Sequence, residues 1–134
     1  SNCVFVDPVP KGELAELMQS ADLGLMILAN VEAFYFGTSP NKFFDYIAGG
    51  MPVLCNYPGW VSEMLVEWGA GVAVPPDDPA AFADALTDLA AKPESLAQMG
   101  RRARELAQRQ FDREQLADQF VDVMESVVAD EKSL

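Results

Sequence analysis

Short apolar runs alternate with stretches of helical period along this chain. Val4-Phe5-Val6 predicts a short strand, and Pro10 then stands where a first helical residue would, since its missing N–H costs nothing there. Leu14, Leu17, Met18 and Ala21 follow at helical spacing. Leu23 to Leu28 is a continuous apolar run of strand length, the pattern of a strand covered on both faces. Residues 29–38 read as a loop carrying the aromatic cluster Phe34-Tyr35-Phe36. Ser39 and Pro40 predict an N-cap and a first helical residue, and Gly49-Gly50 predicts the stop. Residues 51–55 read as a strand, Tyr57-Pro58-Gly59 as a turn, residues 61–68 as a short helix and residues 71–74 as the last strand. Asp78-Pro79 repeats the cap-plus-proline signal ahead of a helical stripe of Phe82, Ala85, Leu86 and Leu89. Two further helices are expected over residues 94–108 and 112–128.

Strands separated by helices predict an α/β fold, a Rossmann-like parallel sheet with flanking helices. The four strand candidates make a thin sheet of this kind, which usually has about five or six. Residues 1–134 therefore read as a single domain fragment whose first strands lie upstream. An incomplete sheet leaves an edge through which two copies would pair as a homodimer.

Composition narrows the chemistry. The chain is 50% apolar and 22% charged, which suits a packed core and excludes a disordered one. A net charge of −12 argues against nucleic acid or anionic lipid as a direct partner, since both need clustered Lys and Arg. The acidity reads as solvated helix surface. With no histidine, a histidine general base and a Cys/His zinc site are ruled out, and no metal is expected. Cys3 and Cys55 lie in or beside apolar strand candidates, so both read as buried thiols rather than a disulfide.

The informative stretch runs from Gly37 through Thr38, Ser39, Pro40, Asn41 and Lys42 to Gly50. The first-turn N–H groups of a helix have no internal partner and carry about half a positive charge. Glycine and small hydroxyl residues just before them let a phosphate approach, and Lys42 adds a cation. At about 100° per residue, Asn41, Lys42, Asp45 and Gly49 share one helix face, while Phe43, Phe44 and Ile47 share the other. The aromatic face must be buried, so Asp45 points away from it. A carboxylate there would repel an adjacent phosphate but suits a pair of sugar hydroxyls one unit further along. A ribose diphosphate satisfies both ends of this face. The plain alternative is an ordinary Ser-Pro helix start with a solvated aspartate.

Here the sequence resembles the C-terminal, donor-nucleotide domain of the group 1 retaining glycosyltransferases of the GT-B fold. Asp45-Tyr-Ile-Ala-Gly-Gly-Met-Pro-Val53 matches the second half of that family's acidic motif, and Val4 to Leu14, Ala21-Asp22 and Asp78 through Phe111 resemble its flanking segments. The resemblance implies that Gly37 to Lys42 hold the nucleotide diphosphate, that Lys42 stabilises the leaving group, that Asp45 binds the ribose hydroxyls, and that Pro8 and Val9 edge the base pocket. It implies a nucleotide-sugar donor as substrate rather than a cofactor, and a saccharide or lipid-linked acceptor held by an N-terminal domain outside this chain. It implies a cytoplasmic enzyme, peripheral at the inner face of the membrane, and a fragment inactive alone. The motif's first acidic position falls on Gly37, which supplies no carboxylate, and Ser39 to Lys42 resemble the bacterial surface-polysaccharide subset. The family's diphosphate-holding Arg and Lys would lie upstream of Val4. A GT-B-related sugar-nucleotide epimerase or phosphorylase, and a non-catalytic α/β interaction module, stand as alternatives.

The aromatic trio reads either as a face toward the sugar or as a loop packed on the domain, and Glu32 either replaces the missing carboxylate or is solvated. Trp60 and Trp68 read as core or interface residues. Arg101, Arg102, Arg104 and Arg109 read as ion-pairing partners of the neighbouring acidic helix.

Overall fold

Apolar triplets bounded by turns form three parallel strands in this computed structural model, which describes residues 2–131. They are β1 (Gly24–Met26), β2 (Val53–Cys55) and β3 (Gly71–Ala73), in that order across the sheet. Gly24, Val53 and Gly71 stand in register, as do Met26, Cys55 and Ala73 at the other end. The helices are α1 (Lys11–Gln19), α2 (Glu32–Tyr35), α3 (Asn41–Ala48), α4 (Trp60–Glu67), α5 (Pro79–Ala90), α6 (Pro93–Gln110) and α7 (Arg113–Glu131). The expected Rossmann-like α/β architecture is present.

The core follows from the two-faced pattern of α3. Phe43 and Ile47 are fully buried against Met26, Val53, Cys55, Val61, Leu65 and Leu106. Phe43 and Phe44 meet edge-on, and Phe111 at the end of α6 closes on both rings at 6.0 and 5.1 Å. Burial of such rings is the main apolar contribution to holding α3 in place. Asp78 caps α5 by accepting the Ala81 N–H at 2.8 Å, with Pro79 as the first helical residue, as the sequence predicts.

Several expectations are corrected. Val4-Phe5-Val6 forms no strand: all three side chains are exposed, and their backbone joins neither edge of the sheet. A triplet without a neighbouring ladder gains too little to stay paired. Cys3, beside it, is exposed rather than buried, whereas Cys55 is buried. The Leu23 to Leu28 run is covered well on one face only: Met26 is buried on one face, while on the other Leu25 is half-buried and Ile27 is exposed. The loop over residues 29–38 contains the short helix α2, which buries Tyr35 and leaves Phe34 and Phe36 exposed. Helices α1 and α3 each begin one residue later than predicted, with Pro10 and Pro40 as the flanking cap residues. Ser39 therefore does not serve as the N-cap of α3. Among the described residues, no helix is long and apolar enough to cross a membrane.

Candidate functional site

In parallel α/β sheets ligands collect beyond the carboxyl ends of the strands, where the connecting loops converge. Side chains tie those loops together here. Asn56, just past β2, accepts the Leu28 N–H at 2.8 Å and donates to the Leu28 carbonyl at 3.1 Å, so it continues the ladder one step beyond β1. Asn30 donates to Asp77 at 2.7 Å and accepts from the Tyr35 hydroxyl, joining the loops that follow β1 and β3. Asp77 adopts a left-handed backbone (φ 54°), a conformation aspartate tolerates better than most residues.

The loop entering α3 is fixed from the β2–α4 turn. The Trp60 indole N–H donates to the Thr38 carbonyl at 3.0 Å, and the Thr38 hydroxyl donates to the Phe34 carbonyl. Gly59 has φ 123° and ψ −176°, a region open to glycine alone, and a β-carbon there would overlap the Tyr35 carbonyl oxygen. Beyond this anchored point Gly37 and Ser39 are exposed, Thr38 and Pro40 are half-buried, and Asn41 and Lys42 are exposed on the first turn of α3. No side chain caps that turn. An anion approaching it meets backbone N–H groups, the helix dipole and the Lys42 ammonium.

Asp45 stands on the face the helical wheel gives it, outside the core, with about a third of its side chain exposed. It borders a cleft of about 420 Å³ whose other wall is α1, through Lys11, Leu14, Ala15 and Met18. The Lys11 ammonium lies 3.4 Å from the Asp45 carboxylate. Arg104 reaches the same cleft and donates to the Ala48 carbonyl at the end of α3. Tyr46, next to Asp45, has its phenol pushed above its ordinary value by burial and, secondly, by the Asp45 charge, so it stays neutral. The arrangement offers an apolar wall, a carboxylate paired with Lys11, and an amide terminus about one helical turn away.

The structure thus brings Lys42 and Asp45 onto one side of α3, with Gly37 to Pro40 leading into it. Pro8 is exposed and Val9 half-buried in the segment leading into α1, and neither lines the cleft beside Asp45. Glu32 is exposed at the start of α2. Arg109 pairs with Glu105 of its own helix at 2.7 Å rather than with the neighbouring acidic helix. Lys11 and the Trp60 N–H escaped the sequence analysis. Lys11 carries no signal until α1 is laid opposite α3, and Trp60 shows only its helical spacing to Trp68.

Residues 1–122 match a protein-family model described as glycosyl transferase-like. By structure the chain is similar to sucrose-phosphate synthase from Thermosynechococcus elongatus, with a TM-score of 0.78 and 25% sequence identity over 94% of this chain. The match spans 30% of that protein's length. No curated protein matches the chain by sequence.

Proposed function

This chain belongs to the glycosyl transferase-like family, and on that premise we propose that it binds the nucleoside diphosphate of a sugar donor for transfer to a saccharide or lipid-linked acceptor. Its parallel sheet and flanking helices are those of the Rossmann-like half of a GT-B glycosyltransferase. The observation that carries the reading is the geometry of α3. An uncapped amide end with Lys42 precedes, on the same side of the helix, a carboxylate set beside a cleft.

In this reading the diphosphate lies at Gly37 to Lys42, and Asp45 accepts the ribose hydroxyls. The cleft along α1 takes the nucleoside, and Pro8 and Val9 do not line it. The chemistry asked of the domain is stabilisation of charge developing on the leaving diphosphate, supplied by fixed backbone dipoles and the Lys42 cation. Transfer with retention then needs no base from this chain, because the departing phosphate oxygen takes the acceptor's proton. The acceptor is held by an N-terminal domain outside these residues, the fragment alone is inactive, and the role is in surface-polysaccharide synthesis at the inner face of the cytoplasmic membrane.

Uridine or guanosine diphosphate should raise the melting temperature of the protein. Asp45→Asn should weaken binding roughly tenfold to a hundredfold, as expected for loss of a charged hydrogen-bond acceptor. An Asp45→Asn variant that responds like the wild type would refute the ribose role.

A further inference from the structure

The diphosphate site lies on a loop, and a loop needs a rigid support to present its donors reproducibly. One side chain touches both parts of this site. The Trp60 N–H holds the Thr38 carbonyl at 3.0 Å, while its ring meets Phe43 edge-on at 5.6 Å and Phe44 at 6.4 Å. Phe43 and Phe44 are on α3, the helix whose amide end that loop enters. Behind it, Gly59 allows the turn to close against the Tyr35 carbonyl at the other end of the same loop. The two contacts bracket Phe36 and Gly37, leaving Ser39 and the α3 amides just beyond.

We propose that Trp60 is a positioning residue for the diphosphate: through its indole N–H it sets the angle between the Gly37 to Pro40 loop and the first turn of α3. The inference rests on the donor-binding reading above. It separates two roles of one side chain. The rings of Trp60, Phe43 and Phe44 hold the fold, and the N–H aims the loop. Removing the N–H while keeping the ring should therefore weaken phosphate recognition and spare the nucleoside cleft, which is walled by α1 and Asp45 on the opposite side of α3 from the Phe43 contact.

The test replaces the indole nitrogen of Trp60 with sulfur, using the benzothiophene analogue of tryptophan, alongside Trp60→Phe. Dissociation constants are measured by ligand-detected NMR for uridine and guanosine diphosphates and for the two free nucleosides. Both variants should bind the preferred diphosphate about fivefold more weakly, the effect of one lost hydrogen bond, with the nucleoside affinity unchanged. Equal loss for diphosphate and nucleoside, or diphosphate binding equal to the wild type in the sulfur variant, would overturn the positioning role while leaving the donor-binding reading intact. If the wild-type protein binds neither diphosphate, both readings fall. The sulfur variant keeps the ring in its packing, so it gives an answer even if Trp60→Phe unfolds.

Discussion

The Asp45 carboxylate stands 3.4 Å from the Lys11 ammonium, across the cleft that separates α3 from α1. Lys11 is 85% exposed at its side chain, so water and salt screen the pair. A double-mutant cycle of Lys11→Met and Asp45→Asn should give a coupling below about 1 kcal/mol, shrinking further as salt is raised. Urea unfolding of the four proteins measures it. A larger, salt-resistant coupling would mean that the pair holds α1 to α3, rather than leaving the carboxylate available to a ligand.

Gly59→Ala should be far more damaging than its size suggests. Its backbone region excludes side chains, and the added carbon would collide with the Tyr35 carbonyl. The loss should be about 1–3 kcal/mol in chemical denaturation. A variant as stable as the wild type would show that the turn and α2 separate easily.

The two faces of α3 were legible in the sequence because helical period alone fixes them. Phe43 and Ile47 had to go inside, and Asp45 followed to the other side. The cap at Asp78 was equally local. What could not be read depended on neighbours distant in sequence. Val4-Phe5-Val6 has the composition of a strand, but strand formation needs a partner, and the described sheet gives it none. The half-covered β1 is hidden for the same reason, since the Leu23 to Leu28 run cannot reveal which face an adjacent layer reaches. Within the site, Lys11 and Trp60 act across 34 and 22 residues of chain respectively, distances over which periodicity carries no information.

Asp78→Ala should cost about 1 kcal/mol, because it removes the acceptor for the Ala81 N–H at the start of α5. Asp78→Asn should recover most of the loss. Thermal melts of the three proteins compare them, and an unchanged midpoint for Asp78→Ala would show that water replaces the cap fully.

Stability should hold from neutral pH to about pH 8 and fall beyond about pH 9. Burial raises the Cys55 thiol above its ordinary value of 9.0, outweighing hydrogen bonding from Tyr57 that favours the thiolate. Burial likewise raises the Tyr57 phenol from 10.0, with the nearby Cys55 charge adding to it, and the Tyr46 phenol is raised from the same value. Below these ordinary values both folded and unfolded chains keep the protons and the stabilisation is full. As pH rises past them the unfolded chain releases its protons first, so unfolding is favoured increasingly until the folded groups also titrate. Urea midpoints at about pH 7.5 and pH 10.5 test the direction. Cys55→Ser or Tyr57→Phe should flatten part of the alkaline slope, and a slope unaffected by either variant would assign it to other groups.

Where α3 ends, at the left-handed Gly50, it meets Gly100 of α6 with almost nothing between the two backbones: a β-carbon on Gly100 would lie 2.5 Å from the Gly50 carbonyl oxygen. Arg104 then latches onto the Ala48 carbonyl from the same helix. Main chain resting on main chain leaves no compressible side chain to act as a cushion, so the end of α3 is seated rigidly on α6. A molecule docking at its front end would therefore meet a helix braced from behind by its neighbour.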